Sequence, residues 1–238
     1  MKLDKVKAYI KAVDLPFLLD LIRWLMIDAY RAIKYPKPLH LYGITAIVGL
    51  YGGGKTMSLV EYLERMRKRH GDKIYIATNF FYKGQDFAIN HWKDLLPVYD
   101  RPVIFGYDEL QNEFNSREYK NFPTSLMWLL TQNRKGNGKK IVYTCQDYET
   151  VDKNFRRLTQ NVWACKTHFG RWTSIKQYDR EDFEQLQAAV DVSRRMKIKP
   201  QGMHSFVQSD SLRDCYDSYQ MLESAVKKDY VSRDELPL

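Results

Sequence analysis

Gly49-Leu50-Tyr51-Gly52-Gly53-Gly54-Lys55-Thr56 is the stretch that decides the fold. It matches G-x-x-x-x-G-K-[ST] in full, and it lies between a short β-rich run, Ile44–Val48, and a segment with helical amphipathicity from Lys55 to Lys68. The chemistry needs each residue type in this pattern. Gly49, Gly52, Gly53 and Gly54 allow backbone conformations in which successive N–H groups turn inward on an anion. Lys55 supplies a point charge for the β- and γ-phosphates, and Thr56 a hydroxyl for Mg²⁺. Met57 follows in the first helical turn, whose positive end faces the same anion. The octet therefore predicts a phosphate-binding loop for a nucleoside triphosphate with Mg²⁺, the binding residues being Gly49, Gly52, Gly53, Gly54, Lys55, Thr56 and Met57.

Working outward, β-rich runs alternate with helical ones. Lys73–Thr78 (KIYIAT), Val103–Tyr107 (VIFGY), Lys140–Thr144 (KIVYT) and Asn161–Lys166 (NVWACK) read as strands, with helices at Thr124–Thr131 and Asp152–Arg157. Strands separated by helices imply crossover connections, hence an α/β P-loop NTPase fold with a doubly wound, mostly parallel sheet. The strand 103–107 delivers Asp108 and Glu109 at its C-terminal end, where Asp108 is expected to hold Mg²⁺ and Glu109 to polarise the attacking water. In ATPases with an additional strand between the two Walker strands, that strand ends in a polar residue near the γ-phosphate. Gln146, closing the 140–146 run, is the candidate. Arg134 and Arg156 flank the same strand, and either guanidinium suits the charge developing on a transferred phosphoryl group, in cis or from a neighbouring subunit.

The order of motifs then resembles a known family. The glycine loop is followed by Thr78-Asn79, Asp108-Glu109, Glu113-Phe114 and Arg117, then by Leu130–Gly136 (LTQNRKG), Thr144-Cys145-Gln146 and Val151–Arg156 (VDKNFR). This is similar to the zonular occludens toxin-like ATPase domain and to filamentous-phage assembly proteins, within the FtsK–HerA class that also includes packaging ATPases of membrane-containing viruses. The likeness covers roughly residues 43–170, and Cys215–Tyr219 echoes a short element often found after that domain. It implies a Mg-ATP-hydrolysing DNA motor for genome packaging, or for virion assembly with DNA export. It also implies catalytic roles for Lys55, Glu109, Gln146 and an arginine at 134 or 156, a homo-oligomer of ring form, and virion, portal or assembly proteins as partners. Many filamentous-phage members place a transmembrane helix after this domain, whereas here the apolar stretch precedes the glycine loop.

Composition bounds the alternatives. The 238 residues are 44% hydrophobic and 14% aromatic, which excludes a disordered chain. Lys and Arg outnumber Asp and Glu by 38 to 29, a net charge of +9 that favours a polyanion, either DNA contacted without sequence preference or an anionic membrane surface. Lys135, Lys139 and Lys140 are the expected DNA-phosphate contacts. Three cysteines are too few for a disulfide framework and point to an intracellular, reducing compartment, which the resemblance implies is the host cytoplasm, with association to the inner membrane or virion as the further options. No run reaches the ~18 apolar residues of a membrane span, and no cleavable signal is evident. Residues 1–40 read as an N-terminal helical arm, 41–169 as the ATPase core and 170–238 as a C-terminal extension packing on the core or on a neighbour. In the arm, Asp20, Arg23, Arg31 and Lys34 share one side of a helix and leave a broad apolar face. That face suits a membrane surface, through residues 1–35, an oligomer contact, or the domain's own core. A membrane-peripheral assembly factor acting on protein partners is thus the second reading. A kinase, which needs an arginine-rich lid, ranks below both.

Overall fold

The computed structural model describes residues 15–35, 38–114, 123–189 and 191–216. Residues 40–216 of these hold one eight-stranded sheet. Its strands are β1 (Gly43–Val48), β2 (Tyr75–Thr78), β3 (Phe87–Ala88), β4 (Val103–Tyr107), β5 (Lys139–Cys145), β6 (Thr159–His168), β7 (Trp172–Asp179) and β8 (Gly202–Val207), in the order β3-β2-β4-β5-β1-β6-β7-β8. The first six in sequence run parallel, and β7 and β8 add antiparallel ladders beyond β6. β5 lies between β1 and β4, which is the additional-strand arrangement.

β1 and β4 are buried at every position, as a sheet covered on both faces requires. Helix α1 (Leu15–Lys34) forms a unit by itself, whereas α2 (Lys55–His70) covers one face of the sheet. Leu63 and Leu59 of α2 come so close to Gly106 of β4 that a Cβ there would sit 3.3 and 3.6 Å from their methyls, and Tyr62 packs edge-on against Trp163 of β6. On the opposite face α3 (Thr124–Thr131), α4 (Lys153–Leu158) and α5 (Arg180–Ala188) bury Leu126, Phe155 and Phe183 against Tyr143 and Tyr178. Short helices α6 (Val192–Lys197) and α7 (Asp210–Arg213) complete the described chain. On α1, Arg31 and Asp28 lie 3.9 Å apart. No helix among the described residues is long and apolar enough to cross a membrane.

Two boundaries differ from the expectation. The strand placed at 73–78 starts only at Tyr75, because Gly71–Lys73 forms a 3₁₀ turn whose carbonyl at Gly71 accepts from Arg67. The boundary expected at 169/170 falls inside the β6–β7 turn: residues 172–179 and 202–207 extend the same sheet rather than starting a separate extension. Their strands were hidden because β8 is an edge strand that buries no residue fully, and β7 alternates buried with half-exposed polar positions.

Candidate functional site

Parallel register brings the sequence motifs to one edge. Val48 pairs with Cys145 and Tyr107 with Tyr143, so the residues that follow β1, β4 and β5 emerge together at their C-terminal ends. Those residues are the glycine loop, Asp108-Glu109 and Gln146.

Within the loop, Gly52 and Gly54 take left-handed φ values of 68° and 83°. Gly54 is irreplaceable on a second count, since a Cβ there would lie 2.4 Å from Thr167 Oγ1 and 3.0 Å from Thr173 Oγ1. These hydroxyls are themselves held by the buried Gln208, whose Nε2 donates to Thr173 Oγ1 at 2.9 Å. Gly54 also caps α2 with no side-chain hydrogen bond, which leaves the helix's first N–H groups for an anion. The Lys55 ammonium folds over the loop and donates to Leu50 O at 3.3 Å. A cradle of N–H groups with one cation across it fits a triphosphate.

The carboxylates are built on a network that spans three strands. Thr56 Oγ1 donates to both oxygens of Asp108, at 3.0 and 3.1 Å, and Thr144 Oγ1 donates to Oδ1 at 2.6 Å. Burial pushes the Asp108 carboxyl above its ordinary range, against the pull of the two threonine hydroxyls and of Lys55. A buried carboxylate in contact with a hydroxyl is an all-oxygen donor set that a divalent cation would relieve of its burial cost. Among the described residues no three-fold acidic or imidazole cluster exists, so such a cation would complete its shell with water and phosphate, as Mg²⁺ does. Thr144 Oγ1 also accepts from the Glu109 N–H at 2.8 Å, so one buried hydroxyl fixes both acidic residues. Glu109 itself sits at φ 51°, in the left-handed region. Its carboxylate accepts from Gln146 Nε2 at 2.9 Å and from Asn112 Nδ2 at 3.2 Å. Asn79, for which the sequence suggests no task, clamps the Asp108 backbone from β2: its Nδ2 donates to Asp108 O at 3.0 Å and its Oδ1 accepts from Asp108 N–H at 2.7 Å. Thr144 and Asn79 are the supports that sequence reasoning passed over. Thr78-Asn79 at a strand end was the available signal.

The arginines and lysines fall elsewhere. Arg134 lies in the exposed turn before β5, whose Gly136 carbonyl hydrogen-bonds His40 just ahead of β1. That is the N-terminal edge of the sheet, with the whole of β5, seven residues or roughly 23 Å, between it and Gln146. Arg134 is therefore not part of this chain's own phosphate site. The same turn lines a cavity of about 150 Å³ with Tyr99, Trp128 and Gln132, equally remote from the glycine loop. Arg156 braces the loop after β5, its Nε donating to Val151 O at 3.1 Å and its guanidinium lying 6.0 Å from the Tyr148 ring. Lys139 and Lys140 are not the free DNA contacts expected from sequence. Lys139 Nζ donates to Leu95 O and Leu96 O, Lys140 Nζ to Thr45 Oγ1, and burial lowers both ammonium groups to about 8. Lys135 is exposed. Cys215-Tyr216 returns to the site's edge: Tyr216 bridges to Tyr82 and packs on Phe80, and the Asp108 charge adds to the burial that raises its phenol. Arg117 and residues 217–219 lie outside the described residues.

No family model and no curated protein sequence matches the chain. Among solved structures it is similar to the N-terminal domain of zonular occludens toxin from Neisseria meningitidis, at 16% identity and TM-score 0.48, over 74% of this chain and 100% of that one. It is also similar to the genome packaging NTPase B204 from Sulfolobus turreted icosahedral virus 2 in complex with ATP-gammaS, at 15% identity and TM-score 0.45, over 70% and 92%. A third likeness, at 11% identity and TM-score 0.35, is to the Legionella pneumophila ATPase DotB, over 83% and 63%. At such identities it is the chain's own strand order and loop geometry that carry its assignment to the α/β P-loop NTPase fold.

Proposed function

We propose that this protein hydrolyses ATP with Mg²⁺ and uses the cycle to move DNA, in viral or phage genome packaging or in virion assembly with DNA export. The observation that carries the hydrolytic part is the convergence of Thr56, Asp108, Thr144, Glu109 and Gln146 in one hydrogen-bonded network beside the glycine loop. Backbone N–H groups of the loop and Lys55 hold the phosphates, and Thr56 with Asp108 would hold the cation, which supplies neutralising charge for the β- and γ-oxygens. Glu109 orients a water for in-line attack on the γ-phosphorus and accepts its proton as the new P–O bond forms and the bond to the bridging oxygen breaks, the electron pair leaving on ADP. Gln146, now bonded to Glu109, is the group that a γ-phosphate draws away, so that the carboxylate is released to its water only when triphosphate is bound.

The DNA part rests on the net charge of +9 and on the order of motifs. The proposal includes a homo-oligomer, the one arrangement in which Arg134, on the far edge, would meet a phosphate site. The host cytoplasm is the proposed location. The second reading, a membrane-peripheral assembly factor, draws on the apolar composition of α1. Phosphate release should be measured with and without double- and single-stranded DNA. The motor reading expects DNA to stimulate turnover, Lys55→Ala to abolish nucleotide binding, and Glu109→Gln to bind ATP without turning it over. Turnover indifferent to DNA, combined with liposome binding that is lost on deleting residues 1–35, would favour the second reading. Full turnover in Glu109→Gln would remove Glu109 from its role.

A further inference from the structure

β6 runs on past the end of β1. Val48, the last residue of β1, pairs with Ala164, and four more residues of β6 continue alongside the glycine loop. Alternate side chains of β6 follow the nucleotide site in order. Trp163 packs on Tyr62 of α2. Cys165 Sγ lies 2.9 Å from where a Cβ of Gly49 would be, and Thr167 Oγ1 lies 2.4 Å from that of Gly54. Phe169 follows directly after the end of β6, at the tip of the hairpin two residues beyond Thr167.

Phe169 occupies a position that neither packing nor turn chemistry explains. It is 94% exposed, with φ 51°, and Gly170 follows at φ 72° while the Arg171 N–H closes the turn on His168 O at 3.1 Å. A hairpin turn with positive φ at both central residues favours Asn-Gly or Asp-Gly, and a bulky aromatic at the first of them is strained. The tip is nonetheless held firmly. Arg213 Nη2 donates to Gly170 O at 2.5 Å, and Arg171 pairs with Asp210 at 2.8 Å and donates to Gln208 O at 3.0 Å. A strained, solvent-facing ring on a hairpin held in this way points to contact rather than to folding.

The direction of the bound triphosphate supplies the contact. Lys55, Thr56, Asp108 and Gln146 fix the γ-phosphate end on the β4–β5 side of β1. β6 lies on the other side of β1, so a triphosphate laid along the loop carries its nucleoside towards the overrun of β6 and its hairpin. We propose that Phe169 is the base-stacking residue of this site, its ring lying against the nucleobase of the bound triphosphate. The proposal rests on the triphosphate reading given above. An aromatic face accepts any base, so it holds ATP and GTP without discriminating between them.

Calorimetric titration of the full chain with Mg²⁺ and ATP, GTP or inorganic tripolyphosphate tests the assignment. Phe169→Ala and Phe169→Asn should weaken ATP and GTP alike by about tenfold, while tripolyphosphate stays within about twofold. Phe169→Trp should retain ATP affinity. Because Asn suits the left-handed turn better than Phe, Phe169→Asn should also melt at a higher temperature than the parent, so its weaker ATP binding cannot arise from misfolding. Unchanged ATP affinity in Phe169→Ala, or an equal loss for tripolyphosphate, overturns the proposal. The Lys55→Ala variant separates the two readings: if it leaves tripolyphosphate binding intact, the triphosphate site itself fails.

Discussion

Asn79→Ala would test whether the acidic pair works only when its backbone is clamped. The Asn79 side chain makes two hydrogen bonds with the Asp108 peptide groups, at 3.0 and 2.7 Å, joining the end of β2 to the end of β4. Each such bond contributes about 1 kcal/mol net, and a buried N–H left without a partner adds about 1–3 kcal/mol, so the expected destabilisation is about 3–5 kcal/mol. The larger consequence is positional. Asp108 and Glu109 are consecutive, and a shift of about 1 Å in a reacting group costs on the order of 100-fold in rate. Urea denaturation should therefore show the stability loss, and single-turnover hydrolysis a fall of about two orders of magnitude, with ATP affinity changed far less because the glycine loop makes no bond to Asn79. Asn79→Asp is the sharper control: it keeps the acceptor for the Asp108 N–H but sets a carboxylate oxygen against the Asp108 carbonyl. Asn79→Asp should be at least as slow as Asn79→Ala. Stability within about 0.5 kcal/mol of the parent and turnover within about twofold would refute the clamp.

Two further outcomes follow from buried charge. Asp108 has its folded pKa raised by burial, so the native state holds the proton more tightly than the unfolded chain, and stability falls as pH rises from the ordinary carboxylate value through the raised one. Asp108→Asn should accordingly raise the nucleotide-free melting temperature at neutral pH, about 2–4 °C for each kcal/mol relieved, while Mg²⁺-dependent ATP binding weakens; a lower melting temperature would show the charge to be well compensated. Lys140 lies opposite in sign: its pKa is lowered from 10.5 to about 8, so the native state binds fewer protons between those values and stability increases with pH across that window. Lys140→Met should stabilise the protein at pH 7 and reduce the rise between pH 8 and 9.5 measured by urea denaturation, leaving the share due to Lys139, whose pKa is also about 8. An unchanged slope would refute the assignment.

The sequence by itself determined what depends on short range. Eight residues from Gly49 to Thr56 specify a backbone that only glycines allow and a lysine and threonine set by helical geometry, so loop, ligand class and helix start were legible together. The strand at 103–107 and the helix at 124–131 were equally legible, because an apolar run bounded by turn residues carries its own signal. Tertiary structure decided everything that depends on which segments meet. Strand order sent Arg134 to the wrong end of the sheet for its own phosphate site, and burial drew Lys139 and Lys140 into internal bonds that a charge count reads as free cations. Register placed Thr144 where a single hydroxyl serves Asp108 and Glu109, and brought Asn79, 29 residues away, onto the same backbone. β7 and β8, half-exposed and polar, became strands because β6 offered them a ladder. Local conformation is written in neighbouring residues, whereas register and strand order are fixed by contacts between residues far apart in the chain, and those contacts turned a glycine loop into a site.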